Sequence, residues 1–300
     1  MNGLDVGWFT ERPVGELRPG DHAWLAYATR EEREHVIGDF VHDGLRNTEE
    51  KVVYVADSPP ERLPGVRRLD DVTLRDRVRR RQLRVLSRAQ TCLDRAGRFD
   101  PSRMVDVLAH EVDAAFDQEF RAVRVTTDFS WLLTAPGGGL TRMLSCEHLV
   151  AEAVSPSTTT MAICQVRRGA RPPDELAALR DTHEVLVEAN PEFDDGVLKI
   201  VRTFDPPGLR VEGELDAARH AAFSDRLARV SKGRLRTHLD LSRLRFVDLG
   251  GLSLLTRHAC DLPGGSVLVL DELPPEVEDV IEMVGWHRLP GLVRGRPREA

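Results

Sequence analysis

Residues Asp240–Leu255 read Asp-Leu-Ser-Arg-Leu-Arg-Phe-Val-Asp-Leu-Gly-Gly-Leu-Ser-Leu-Leu. An apolar, β-prone strand closes at Asp240, and a short polar connection runs through Ser242, Arg243 and Arg245. Phe246 and Val247 restore apolar character ahead of Asp248. Gly250 and Gly251 stand where a turn gives way to an apolar helix. A carboxylate at 248 can accept amide hydrogens that the first helical turn leaves unpaired, so Asp248 is expected to cap that helix. The resulting helix N-terminus favours anions and can present a switch residue.

Elements of matching scale lie on either side. Two strands are expected near Leu198–Phe204 and Leu209–Glu214, with Pro206, Pro207 and Gly208 turning between them. Asp216 is expected to cap a helix running to about Val230, and Arg236–Leu241 is the strand that enters the central loop. Ser266–Leu270 reads as a further strand, and Pro274 and Pro275 open a last helix to Val284. This order predicts a mixed sheet with helices packed on one side. Asn190–Gly196, polar and broken by Pro191, reads as a linker to what precedes.

The earlier residues alternate strand and helix. Residues 1–20 read as irregular, and Asp21–Tyr27 as a strand entering a core. Thr29 and Glu32 have capping-box spacing, ahead of an apolar stripe of Val36, Ile37, Phe40, Val41 and Leu45. Lys51–Ala56 is a near-continuous apolar strand of the kind buried on both faces. Leu83–Leu86, Ala122–Thr127 and Thr159–Val166 read as strands. Helices are expected from Asp100–Pro101, over Thr141–Val154, and after Pro172 and Pro173 as far as Val185. Such alternation predicts a parallel α/β sheet covered on both faces. The expected domains are therefore residues 1–190 and 197–300.

A net charge of −7 argues against a chain built to bind nucleic acid. No apolar run approaches the length of a membrane span, and no signal peptide is visible. The four cysteines, Cys92, Cys146, Cys164 and Cys260, form no Cys-x-x-Cys pair. They are expected to be reduced and mostly buried, in a cytoplasmic protein.

Two resemblances sharpen this reading. The run through Asp240, Leu241, Phe246, Asp248, Gly251 and Leu252 resembles the STAS domain, the sulphate-transporter and anti-sigma-factor-antagonist family. Relatives that act on anti-sigma factors carry a phosphorylatable serine just before the glycine. Here that position is Gly250, and the one before it, often also serine, is Leu249. The resemblance implies a docking and switch loop of Asp248, Leu249, Gly250, Gly251 and Ser253, without the usual phosphoserine. Ser253 offers an alternative hydroxyl, but its neighbours Leu252, Leu254 and Leu255 predict burial.

Gly20–Tyr27, followed by an acidic helix and Lys51–Asp57, resembles the MEDS domain, the methanogen and methylotroph sensory family with a RecA-like core. Its hallmark is His-Val-Cys-x-x-Tyr. His22 and Tyr27 match, while Trp24 stands at the cysteine position. A His–Cys pair can bind a soft metal, whereas a His–Trp pair does so poorly. No metal or cofactor is therefore expected. The sensor pocket is expected to involve His22, Trp24, Tyr27, Asp128 and Trp131, the last two lying past a strand end where ligands of open α/β sheets bind.

Each of these residues also has a plainer reading. His22 can be a hydrogen-bonded core histidine, and Trp24 and Tyr27 core packing. The Arg67–Arg84 cluster, interleaved with aspartates, reads as a solvated helix face, and Gly137–Gly139 as a mobile loop. The chain lacks Gly-x-x-x-x-Gly-Lys-Ser/Thr, so ATP hydrolysis is not expected. The reading is a non-enzymatic signalling regulator: a ligand- or protein-sensing N-terminal domain joined to a STAS domain that binds an anti-sigma factor or kinase-like regulator. The alternatives are a degenerate RecA-like nucleotide-binding protein or weak ATPase, and a non-catalytic signalling scaffold.

Overall fold

The computed structural model describes residues 9–135 and 139–297. The chain divides into two compact units, Met1–Glu188 and Ala189–Ala300. No helix among the described residues is long and apolar enough to cross a membrane. Gly137 and Gly138, read above as part of a mobile loop, lie outside the described residues.

In the first unit the elements follow as β1 (Thr10–Pro13), β2 (His22–Tyr27), α1 (Arg30–Arg46), β3 (Glu50–Val55), α2 (Asp71–Arg79), β4 (Leu83–Leu86) and α3 (Arg88–Thr91). Then come α4 (Pro101–Asp117), β5 (Ala122–Asp128), α5 (Ser130–Thr134), α6 (Leu140–Val154), β6 (Thr160–Arg167), α7 (Pro173–Arg180) and β7 (Val185–Glu188). The strands form one sheet in the order β1-β7-β2-β6-β5-β3-β4, with every pairing parallel. This is the α/β class that the alternation predicts.

Local chemistry explains the boundaries. Thr29 Oγ1 accepts from the Glu32 amide at 3.0 Å, while Glu32 Oε2 accepts from the Ala28 amide at 2.6 Å. The α1 stripe of Val36, Ile37, Phe40, Val41 and Leu45 is fully buried. Burial of one such side chain is worth about 1.5–3 kcal/mol. Asp100 caps α4 by accepting from the Arg103 amide at 3.1 Å, with Pro101 at the first helical position. Lys51 is the charged exception in buried β3, and its ammonium is neutralised by Glu111 of α4 at 3.0 Å.

Three expectations fail in this unit. Residues 10–13, read as irregular, form β1 and pair with β7. Val185 is not in a helix: α7 stops at Arg180, and Val185 begins β7. The run Val185-Leu-Val-Glu188 is too short for periodicity to separate strand from helix end. Asp128 is the last residue of β5 and does not lie beyond it.

The second unit comprises β8 (Pro191–Asp194), β9 (Leu198–Phe204), β10 (Pro207–Leu215), α8 (His220–Ser231), β11 (Arg236–Asp240) and β12 (Leu244–Val247). It continues with α9 (Leu249–Asp261), β13 (Val267–Asp271), α10 (Pro275–Val284) and β14 (Leu292–Arg294). Its sheet runs β14-β13-β11-β10-β9-β8, with β12 also on β10. β8, β9 and β10 pair antiparallel and the rest parallel, so the sheet is mixed. A core of Leu198, Ile200, Val211, Phe223, Leu239 and Leu268 joins sheet to helices.

Here too the sequence reading shifts. Most of the stretch read as a linker is strand β8, antiparallel to β9. Pro207 and Gly208 belong to β10, so the turn centres on Asp205–Pro206. A Cβ at Gly208 would overlap the His238 backbone, and glycine is what lets β10 and β11 pair there. Asp216 is not the N-cap of α8; it accepts from the Ala218 amide in a turn, and the helix starts after Arg219.

Candidate functional site

Three settings hold the residues singled out in the first unit. The first follows from strand alternation along β2. His22 and Trp24 point to one face and Tyr27 to the other, because side chains alternate along a strand. On the His22 face, β2 and β6 pair so that Trp24 lies opposite Cys164. Glu147 of α6 comes down onto the same spot. His22 Nε2 lies 3.2 Å from Glu147 Oε2 and 3.4 Å from Cys164 Sγ. The Cys164 thiol donates to Glu147 Oε2 at 3.0 Å.

His183, in the turn before β7, completes the group, with Nε2 3.3 Å from Glu147 Oε2. Its ring stacks 4.1 Å from that of His22 and 5.1 Å from Trp24. His183 Nδ1 lies 3.0 Å from the Leu179 carbonyl, which can only accept, so Nδ1 carries the hydrogen. All four residues are buried. Burial pushes the His22 pKa down. Burial opposes ionisation of Glu147 too, but the two histidines outweigh it and hold the carboxyl far below the usual carboxylate range. Burial, reinforced by Glu147, raises the Cys164 thiol.

The second setting is the C-terminal edge of the sheet, on the α1 face. Tyr27 donates its phenol to Asp128 Oδ2 at 2.8 Å, and Ser130 donates both its amide (2.9 Å) and its hydroxyl (2.6 Å) to Oδ1. Arg33 of α1 ties the group together, 3.4 Å from Asp128 and bonded to Gln165 at 2.7 Å and Tyr54 at 3.3 Å. Burial and the Asp128 charge together raise the Tyr27 phenol, so it stays a donor at neutral pH. The third setting holds Trp131, whose ring lies under the Arg88 guanidinium at 4.7 Å and edge-on to Phe99.

The five expected sensor residues therefore do not share one pocket. None of them lines the apolar cleft of about 170 Å³ between α4 and α6, bounded by Val105, Leu108, Val112, Val125, Val150 and Val154.

The second unit presents the loop that opened the sequence reading. Asp248 caps α9, its Oδ1 accepting from the Gly251 amide at 2.7 Å and from His220 Nε2 at 2.8 Å. The Gly251 amide first, and then His220, holds this carboxyl below its usual value. A Cβ at Gly251 would crowd Val247 and Leu215, so glycine seats the helix on the sheet. Gly250 is exposed, and a Cβ there would collide with His220 Cε1. Leu249 is 70% and Phe246 51% exposed, beside a groove of about 540 Å³ that Leu252, Pro274, Val277 and Val280 also line. Ser253 is half-buried, not buried, and its hydroxyl donates to the Leu249 carbonyl at 2.8 Å.

The family model of MEDS, the methanogen/methylotroph, DcmR sensory domain, matches residues 21–184, more than half of the chain. The chain belongs to the MEDS family. An STAS model, described as Mlab, STAS domain, matches residues 198–294, so a STAS domain follows the MEDS domain. No curated protein matches the sequence. Among solved structures, the chain is similar to the KaiC-like protein PH0186 from the hyperthermophilic archaeon Pyrococcus horikoshii OT3. The identity is 11% and the TM-score 0.39, over 61% of this chain and 78% of that one.

Sequence reasoning missed Arg33, Glu147, Cys164, His183 and His220 as site residues. Glu147 carried a signal: it interrupts the buried stripe of Met143, Val150 and Val154 in α6. A carboxylate placed there needs partners. Cys164 looked like strand core, and nothing local marked His183.

Proposed function

We propose that the chain is a partner-binding signalling regulator in which the STAS domain is the output and the MEDS domain the sensor. The STAS domain docks an anti-sigma factor or a related kinase-like regulator and so changes transcription. The observation that carries this reading is the α9 N-terminus. Two large apolar side chains, Phe246 near the end of β12 and Leu249 at the start of α9, stand exposed beside a groove, on either side of the capping Asp248. A contiguous exposed apolar patch of this kind marks an interaction surface. Gly250 has no hydroxyl, so control falls to another part of the chain, for which the MEDS domain is the candidate.

The MEDS domain takes a small apolar ligand in this reading. Support comes from the cleft of about 170 Å³ between α4 and α6, lined chiefly by valine and alanine. An apolar cavity of about 150 Å³ is enough to bind a molecule the size of benzene. No bond chemistry is assigned to either domain.

Affinity capture with the full chain, compared with Leu249→Asp and Phe246→Asp, tests the docking surface. Recovery of an anti-sigma factor or kinase-like regulator with the wild type, lost in both variants, supports the proposal. Capture of the same regulator by folded variants at wild-type level would remove this surface from consideration.

A further inference from the structure

The cluster of His22, Glu147, Cys164 and His183 asks for a cation. Four side chains from β2, α6, β6 and the turn before β7 bring one ligand-type atom each to within 4.8 Å of one another. The four separations given above, 3.0–3.4 Å, are close to four of the six edges of a tetrahedron drawn around a metal ion, and the other two lie within 4.8 Å. Bonds of about 2.0–2.3 Å to N, O and S donors give edges of about 3.3–3.8 Å.

Proton bookkeeping points the same way. His183 spends its Nδ1 hydrogen on the Leu179 carbonyl, so its Nε2 faces Glu147 across 3.3 Å, a contact that is favourable only with a proton or a cation between the two atoms. That Nε2 has no hydrogen-bond partner, and neither do His22 Nδ1 and Glu147 Oε1, although all three are buried. Buried polar atoms left without a partner lose the hydration they had in the unfolded chain and gain nothing for it. A cation among the lone pairs gives His183 Nε2 a partner. The Leu179 carbonyl then acts as the outer partner that fixes the ring's tautomer and aim, as the second hydrogen bond of a ligating histidine usually does.

We propose that these four residues bind one zinc-class divalent cation, with His22, His183, Glu147 and Cys164 as its complete ligand set. Two imidazoles, one carboxylate and one thiolate suit a borderline-soft ion. Binding displaces the Cys164 proton to solvent and forms a metal–sulfur bond, as metal sites with thiols require. Charges then sum to zero, +2 from the metal and −1 each from Glu147 and Cys164, which is what a buried site needs. Four protein ligands leave no open position, so the ion is structural: it staples α6 and the His183 turn to adjoining strands. The sequence argued against a metal because Trp24 replaces the hallmark cysteine. In the fold Cys164 supplies a thiol from the position paired with Trp24. This proposal is independent of the docking reading.

The test uses the untagged full chain expressed in zinc-supplemented medium and dialysed. Elemental analysis should find one zinc per chain. Exchange for Co²⁺ should give the strong visible bands of a four-coordinate ion, with a thiolate-to-cobalt band in the near ultraviolet. Cys164→Ser should abolish the near-ultraviolet band, and chelation should lower the wild-type melting temperature. A wild-type chain free of metal, or a cobalt complex without the thiolate band, would overturn the proposal. Both readouts rest on the wild type, so they decide the matter even where a variant fails to fold.

Discussion

Replacing Gly250 with alanine sets two terms of similar size against each other. Gly250 lies in the first turn of α9, and its φ is outside the left-handed range, so the backbone accepts a Cβ. Alanine for glycine within a helix gains about 0.5–1 kcal/mol. The obstacle is His220, whose Cε1 occupies the space the Cβ would enter. The ring must swing away, which breaks its 2.8 Å bond to Asp248. For a partly exposed pair that bond is worth about 0.5–1 kcal/mol. Gly250→Ala alone should therefore leave stability within about 0.5 kcal/mol of wild type. His220→Ala alone should lose about 0.5–1 kcal/mol. In the His220→Ala background the bond is already gone and the space is open, so Gly250→Ala should show its full helix gain. The coupling read from the cycle is about 0.5–1 kcal/mol, or about 2–5 °C in the STAS transition by scanning calorimetry. An identical effect of Gly250→Ala in both backgrounds would refute the claim that His220 guards this position. The same geometry bears on Gly250→Ser: a serine at the family's phosphorylation position is obstructed by a side chain and not by the backbone.

Fragment boundaries give a second prediction: residues 189–300 should unfold cooperatively, while 197–300, which lacks β8 and the packing of Phe193, should be less stable by about 1–2 kcal/mol in urea melts. Tyr27→Phe should cost about 1 kcal/mol by removing one donor to Asp128, without loss of fold by circular dichroism. Glu111 gives a pH dependence. Burial opposes its ionisation, but Lys51 and then Arg84 hold its carboxyl below the ordinary value. A depressed carboxyl stabilises fully above the ordinary glutamate pKa of about 4.3, and the contribution is lost as pH falls through the depressed value. Urea midpoints should therefore fall on acidification, and Glu111→Gln should flatten that fall; an unchanged slope would exclude Glu111 as its source.

The parts of the fold that were legible in the sequence are those whose local and tertiary demands agree. Thr29, Asp100 and Asp248 mark helix starts because each side chain meets the backbone amide three residues on. The buried strand β3 reads as a near-continuous apolar run because both of its faces are covered. What failed were short elements at a sheet edge or next to one. β1, β7 and β8 have four residues each, and their strand character comes from the neighbour they pair with. Asn190–Gly196 has a linker's composition, yet β9 offers it an open edge.

The candidate sites were less legible for a different reason, the distance between their residues along the chain. His22 and Tyr27 stood out in one short motif, but a six-residue strand sends their side chains to opposite faces. Each then gathers partners from over a hundred residues away: Glu147 and Cys164 for one, Asp128 for the other. Trp24 shows how much a motif read along one strand leaves out. The strand position that holds a cysteine in the family hallmark holds tryptophan here, and the thiol sits directly across the ladder at Cys164. Paired residues in neighbouring strands face the same side of a sheet, so a thiol moved across the ladder still reaches His22. Linear spacing therefore cannot establish the absence of a ligand set; the register between β2 and β6 decides which groups meet.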